Sequence, residues 1–236
     1  MQLFFNETLT SDHSEITFSK EESKHIVKVL RKNEGDFLHI TNGKGYLFKA
    51  EISLATTNKC MAQIIETEIQ EKSNLHIHLA VAPTKMNDRY EWFLEKATEI
   101  GIQEITPIIC DHSERKVVKI ERYKKIIQSA TKQSLRYHMP IINDPVNIKS
   151  FIKNHNNETL YIAHCEETKR QSLKEVLSQT KSNNFTILIG PEGDFSTNEI
   201  ELALANNYVP VTLGETRLRT ETAAIVATHS IVYSKE

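Results

Sequence analysis

Several things are missing from this sequence of 236 residues. No stretch approaches the roughly 18 consecutive apolar residues that a membrane-spanning helix needs. The opening residues, MQLFFNETLTSDHSE, lack the basic flank and apolar core of a signal peptide. Cysteine is scarce, with only Cys60, Cys110 and Cys165, far apart and without metal-type spacing. Such cysteines read as reduced thiols of a cytoplasmic protein and not as a disulfide framework. An excess of positive charge is missing too. Lys and Arg number 29 against 31 Asp and Glu, a net charge of −2. Global charge therefore does not announce a nucleic-acid binder, although a local basic face is compatible with it. There is no internal repeat and no low-complexity tract, which excludes solenoids and linker-like tails.

The elements change character near residue 70. Before it come short segments rich in β-branched and aromatic residues, EITFS, DFLHIT, YLFKAEISLA and CMAQIIETEI, punctuated by NEGD and TNGKG. One helical piece, KEESKHIVKVLRK, interrupts them. Helical spacing places Ile26, Val29 and Leu30 on one face, with Lys24, Lys28, Arg31 and Lys32 elsewhere. This predicts a small β-barrel-like domain over residues 1–72 with a basic helix. The polar stretch ETEIQEKSN marks the junction. From residue 73 to 236, apolar strands alternate with amphipathic helices, which predicts an α/β domain with a mostly parallel sheet covered on both faces.

Two loops hold the most chemistry. LIGPEGDFS (188–196) follows an apolar strand and opens a helix, with Ser196 and Glu199 spaced as a capping box. The loop lacks the Lys and Ser/Thr of a P-loop and the spacing of a dinucleotide fingerprint, and its Glu192 would repel a pyrophosphate. Two readings stay open: a plain strand-to-helix turn, or a wall of a ligand pocket where glycine lets backbone approach closely. The second loop, LGETRLRTETAAI (213–225), repeats the pattern, with Thr220 as the expected helix cap and Glu221 near the positive end of the helix dipole. In a parallel sheet the ends of neighbouring strands lie side by side, which favours one shared pocket. The remaining motifs say less. Lys96 and Glu99 fall on one helix face, and residues 111–125 are dense in Lys and Arg, either a solvated face or a nucleic-acid patch. His76 and His78 share one side of a strand with no third ligand in sight, so no metal is expected. No G-x-S-x-G elbow is present.

Taken together, GPEGDFS, LG…RLRTETA, EKATEIGI, HSER, KQSLR…P and the front motifs HIVKVLR and TNGKG resemble the RsmE family of bacterial 16S rRNA (uracil-N3) methyltransferases. The match spans nearly the whole chain in order. The resemblance implies a SPOUT-type parallel sheet with a C-terminal trefoil knot, and a PUA-like N-terminal barrel that binds RNA. It implies S-adenosylmethionine as cofactor and a homodimer. The expected substrate is 16S rRNA, within the assembled small ribosomal subunit. By the same resemblance, Leu188, Gly190, Glu192, Gly193, Leu213, Gly214, Leu218, Arg219 and Thr222 surround the cofactor. For transfer to N3, Arg219 is the candidate to stabilise charge on the uracil and Glu221 or Glu192 the candidate to accept the N3 proton, with solvent hydroxide and pure positioning as the alternative. Lys96, Glu99, Arg115, Gln133 and Arg136 line the RNA cleft, with Glu99 alternatively fixing a loop through Arg115. Arg31 and Lys44 contact phosphates from the front domain. Where many members have glycine, this chain has Asp194, which leaves open whether Asp194 or Ser196 caps the next helix. A catalytically silent relative would instead be an RNA-binding assembly factor.

Overall fold

The computed structural model describes residues 2–155, 159–165 and 170–236. The chain divides into two compact units, Met1–Lys72 with Thr131–Met139, and Ser73–Ala130 with Pro140–Glu236.

In the first unit, five strands form one sheet: β1 (Leu3–Phe5), β2 (Glu15–Thr17), β3 (Phe37–Thr41), β4 (Tyr46–Ala55) and β5 (Cys60–Ile69), in the order β1-β3-β4-β5-β2. Period-two alternation sends Phe48, Ala50 and Ile52 of β4 inward, where they meet Phe4, Ile16, Ile26 and Ile40. Helix α1 (Lys20–Lys24) is capped by Ser19 and continues into a π-helical turn, His25–Val29. That turn corrects the sequence reading. The Leu30 N–H bonds the carbonyl of His25, five residues back. The wider turn rotates the following residues relative to an α-helix. Ile26 and Leu30 still pack on the core, but Val29 faces solvent at 64% exposure. Arg31, just beyond, has a left-handed backbone, φ 55.

The TNGKG turn has a structural role in this unit. Asn42 Oδ1 accepts from the N–H groups of Lys44 and Tyr46, and its Nδ2 donates to the Leu9 carbonyl. Residues 131–139 pair with the turn through Gly45 N–H to Tyr137 O and Met139 N–H to Gly43 O, both 2.9 Å. Gly45 has φ +96, and a Cβ there would lie 2.5 Å from the His138 ring, so only glycine admits that ring.

The second unit carries an eight-stranded sheet: β6 (His76–Val81), β7 (Glu104–Ile109), β8 (Ile141–Ile142), β9 (Val146–Asn147), β10 (Thr159–Ala163), β11 (Gln171–Ser172), β12 (Asn184–Ile189) and β13 (Val209–Thr212). Its order is β11-β13-β10-β12-β6-β7-β8, with β9 against β7, and every pairing among the described residues is parallel. Helices α2 (Asn87–Ile100), α3 (Ile120–Gln133), α4 (Ile148–Asn154), α5 (Leu173–Gln179), α6 (Thr197–Ala205) and α7 (Thr220–Lys235) connect or follow the strands, and the last residues of α3 belong to the first unit. The central strands β6 and β12 are buried almost throughout, as expected of a parallel sheet covered on both faces. From β10 the chain reaches β11 on one side and then β12 on the other. That reversal is the kind of switch point where such sheets place ligands.

His76 and His78 share a carboxylate partner, Glu104, although no group of His, Cys, Asp and Glu arranged to hold a metal is found among the described residues. Residue 78 pairs in register with residue 104, and Glu104 lies 3.3 Å from His76 Nε2 and 3.7 Å from His78 Nε2. His78 is buried and bonds Thr106 Oγ1 at 2.7 Å, while Asn143 Nδ2 donates to both Glu104 and Thr106. Burial lowers the His78 pKa from 6.5 to about 4, against an opposing pull from Glu104. Its hydrogen bond with His76 draws Glu104 down from 4.5 to about 2, against the opposing effect of its own burial.

Both folded-state values lie below those of the unfolded chain, so acid favours unfolding twice. Stability falls as pH drops from about 6.5 to 4 through His78, by about 3 kcal/mol, and then from about 4.5 to 2 through Glu104. Thermal melting followed across pH should show both declines. In His78→Gln only the lower one should remain.

Candidate active site

The site forms where β10, β12 and β13 end side by side. β12 runs into Gly190, and the Thr220 hydroxyl, at the first position of α7, donates to the Gly190 carbonyl at 3.0 Å. Thr220 is therefore not the cap expected from the sequence. Arg219 holds the cap position with extended backbone, and the buried Thr220 side chain is used to tie the two loops together. Gly190 lies close against Phe195: a Cβ there would sit 3.1 Å from its ring and 3.3 Å from its backbone nitrogen, so Phe195 would have to yield slightly to any larger residue.

The rest of the loop is fixed by polar contacts. Glu192 Oε1 accepts the Lys85 N–H at 2.9 Å, and its carbonyl accepts Arg217 Nη2 at 3.2 Å. Asp194 has a left-handed backbone, φ 64, and its N–H closes a turn onto the Pro191 carbonyl. Ser196 caps α6: its hydroxyl accepts the Glu199 N–H, and the Glu199 carboxylate accepts the Ser196 N–H in a capping box. Glu199 is buried, and its other oxygen accepts the Asp111 N–H. The choice between Asp194 and Ser196 thus falls to Ser196, as the capping box in the sequence suggested.

Two adjoining cavities open between these loops. One, of about 250 Å³, is lined by Gly190, Pro191, Glu192, Arg219 and Thr220 among others. The second, of about 320 Å³, is lined by Arg170, Leu213, Gly214 and Glu215 among others. Ala163, Cys165, Arg217, Leu218 and Ala223 border both. The walls combine backbone and small apolar side chains with carboxylates at Glu192, Asp194 and Glu215 and guanidinium groups at Arg170, Arg217 and Arg219. Walls of this mixed character suit a nucleoside read by backbone groups.

Of the residues expected around a cofactor, the structure brings Gly190, Glu192, Leu213, Gly214, Leu218 and Arg219 to these cavities. It places three elsewhere. Leu188 is wholly buried in the core, because β12 is covered on both faces at that level. Gly193 turns its open side to His112, whose Nδ1 contacts the Gly193 and Asp194 carbonyls. Thr222 lies on α7, half-buried, outside both linings. Glu221 is buried with its carboxylate 4.0 Å from Arg89 Nε and lines neither cavity. Ala163, Cys165, Arg170, Arg217 and Ala223 are linings the sequence reading missed. Only Arg217 carried a signal, the arginine repeated in RLR.

The residues expected in an RNA cleft come from both units. Arg115 donates to the carbonyls of Thr84 and Lys85, at 3.1 and 2.9 Å, next to the Glu192 contact. It braces that loop through backbone, while Glu99 accepts from Lys96. Lys96 and Glu99 sit in the last turns of α2, which returns from the carboxyl edge of the sheet to the amino edge between two parallel strands, so they lie away from the loop ends. Gln133 and Arg136 belong with the first unit, where burial pushes the Arg136 pKa down. Arg31 and Lys44 are also in the first unit, and Lys44 Nζ donates to the Glu7 carbonyl.

With this geometry established, comparison with known proteins is decisive. A family model described as an RNA methyltransferase domain matches residues 71–232, and one described as an RNA methyltransferase PUA domain matches residues 18–65. The ribosomal RNA small subunit methyltransferase E of Rickettsia conorii is 34% identical over 96% of this chain and 92% of its own length. The chain belongs to that family. A solved probable rRNA-methyltransferase from Porphyromonas gingivalis is 37% identical, covers 100% of both chains and superposes with a TM-score of 0.90. A putative methyltransferase from Legionella pneumophila, solved in complex with the bound cofactor SAM, is 28% identical over 99% of this chain and 97% of that one, with a TM-score of 0.85. As in those relatives, the α/β unit is joined to a PUA-type front domain.

Thr220→Val removes the hydroxyl that ties α7 to Gly190 while keeping the volume. Urea unfolding should show a loss of about 1–3 kcal/mol from the buried carbonyl left without its donor.

Proposed function

We propose that this chain transfers a methyl group from S-adenosylmethionine to N3 of a uridine in small-subunit rRNA. The observation that carries the reading is the pair of carboxylate-bearing, backbone-walled cavities at the ends of β10, β12 and β13, in a chain of this family. Bound S-adenosylmethionine would supply an electrophilic methyl on a sulfonium. Gly190, Leu213, Gly214 and Leu218 would hold its nucleoside part, and Glu192 is a carboxylate that a sulfonium tolerates nearby.

Uracil N3 carries a weakly acidic proton, so attack requires its loss, which puts negative charge on the ring and its oxygens until the methyl is transferred. Arg219, exposed at the rim of the first cavity, is the cation placed to take up that charge. Glu221, paired with Arg89, is better suited to orient that arginine than to leave its place as a base. Glu192 is committed by its Lys85 contact. Water or hydroxide is then the proton acceptor, and holding N3 in line with the methyl supplies the main advantage.

The trefoil knot and the homodimer belong to the same proposal. Beyond β13 the chain passes through the 213–219 loop, and α7 returns to pack on α2, α5, β6 and β12, which supports a threaded C-terminus. The outer side of α7 leaves Ile225, Val226 and Val232 partly uncovered and Tyr233 at 74% exposure, which supports burial against a second copy. The assembled small subunit as substrate, Arg31 and Lys44 as phosphate contacts, and a cytoplasmic location complete the reading. No helix among the described residues is long and apolar enough to cross a membrane.

Calorimetry should detect S-adenosylmethionine binding, and mass spectrometry of digested rRNA should find N3-methyluridine after incubation with small subunits lacking it. Another modified base would overturn the substrate, and no cofactor binding would overturn the reading. Arg219→Ala should lower the transfer rate by about 10²–10³-fold. Val226→Glu should shift sedimentation from dimer to monomer.

A further inference from the structure

Asp194 makes contacts that neither its loop nor the next helix requires. Ser196 already caps α6, so the Asp194 carboxylate is not needed there. Instead Oδ2 accepts the backbone N–H of Cys165 at 2.7 Å, and Oδ1 accepts the N–H of Phe195 at 2.9 Å. Cys165 stands two residues beyond β10 and lines both cavities, and Asp194 itself lines the first. One carboxylate thus spans two loops 29 residues apart in sequence. The left-handed backbone at φ 64 is what aims it, because the turn closed by Asp194 N–H onto Pro191 O projects the side chain towards β10. The third loop is joined separately, by Arg217 to the Glu192 carbonyl and by Thr220 to Gly190.

We infer that Asp194 is a positioning residue for the cofactor: its carboxylate latches the segment after β10 to the GPEGD loop and so sets the shape of the wall shared by both cavities. The inference rests on the proposed methyltransferase function only for the identity of the ligand. The latch itself is read from geometry. An ionised acceptor with two N–H donors is stronger than a neutral one, and it holds the Cys165 backbone without any side chain of its own loop. Two alternatives make different demands. If residue 194 served only the left-handed turn, glycine would do as well or better, because it adopts φ > 0 without strain. If the latch matters, glycine relaxes the turn and still releases the Cys165 segment.

Asp194→Gly and Asp194→Asn separate these cases. Asparagine tolerates the left-handed backbone but carries an NH2 donor in place of one of the two carboxylate oxygens, each of which here accepts a different N–H, so one of those N–H groups meets a donor and loses its acceptor. Two readouts are used on the full-length protein. The first is S-adenosylmethionine affinity by calorimetry. Asp194→Gly should keep the melting temperature of the wild type yet bind about tenfold more weakly, in line with one lost hydrogen bond to a charged group. Asp194→Asn should fall between. The second needs no cofactor. Cys165 is exposed whereas Cys60 and Cys110 are buried, and burial pushes both of those thiols up, so iodoacetamide reports on Cys165. Its alkylation should be severalfold faster in Asp194→Gly than in the wild type, mapped by peptide mass spectrometry. Equal alkylation rates, or wild-type affinity in Asp194→Gly, would overturn the latch. If the wild type binds no S-adenosylmethionine while alkylation still separates the variants, the latch stands and the functional reading fails.

Discussion

The hydrogen bond from the Thr220 hydroxyl to the Gly190 carbonyl is the contact on which the site depends. It fastens the start of α7 to the end of β12 at a point where both are buried. The Gly190 carbonyl has no strand partner beyond β12 to serve it, so a donor has to come from another loop. Once Thr220 supplies it, the 213–219 loop must arch over the strand ends, and the space beneath the arch becomes the two cavities. Arg217, Arg219 and Leu218 reach the rim because they precede that anchor directly. Gly190 is tightly placed as well: a Cβ there would press on Phe195 at 3.1–3.3 Å.

Much of this was legible in the sequence, and the limits have physical causes. Long strands such as Tyr46–Ala55 and Cys60–Ile69 announced themselves by alternation or β-branching, and the helices of the second unit by apolar spacing. Strands of two or three residues, such as Ile141–Ile142 and Gln171–Ser172, carry no period to detect. The Val29 error came from assuming 3.6 residues per turn where a π-turn adds one. Glycine-bearing loops after strands located the pocket. They did not say which residues of the strand end and loop face it: Leu188 and Gly193, expected around the cofactor, line neither cavity. Cys165 and Ala163 gave no local signal, since their role comes from a strand neighbour chosen by the sheet order and not by sequence proximity. Glu104 escaped for the same reason: register across two strands, and not spacing along one, puts it beside His76 and His78.

Charge shows a similar economy of position. A net charge of −2 says nothing about binding, yet the carboxylates of Glu192, Asp194 and Glu199 each accept backbone N–H groups around a single loop. Acidic side chains here replace missing strand partners for the backbone. Glu192 and Asp194 shape the cavity wall in this way, while Glu199 serves the start of α6 from within the core.

The pairing of residues 131–139 with the TNGKG turn bears on how the chain is made. The first unit is not contiguous: its sheet lies within residues 1–72, but Gly43 and Gly45 bond to Met139 and Tyr137. During synthesis the front sheet emerges from the ribosome well before the segment that completes it. That unit cannot close until the first three elements of its neighbour, β6, α2 and β7, and the α3 helix have followed it out. A border drawn at residue 72 therefore leaves out a segment that the first unit takes back from later in the chain.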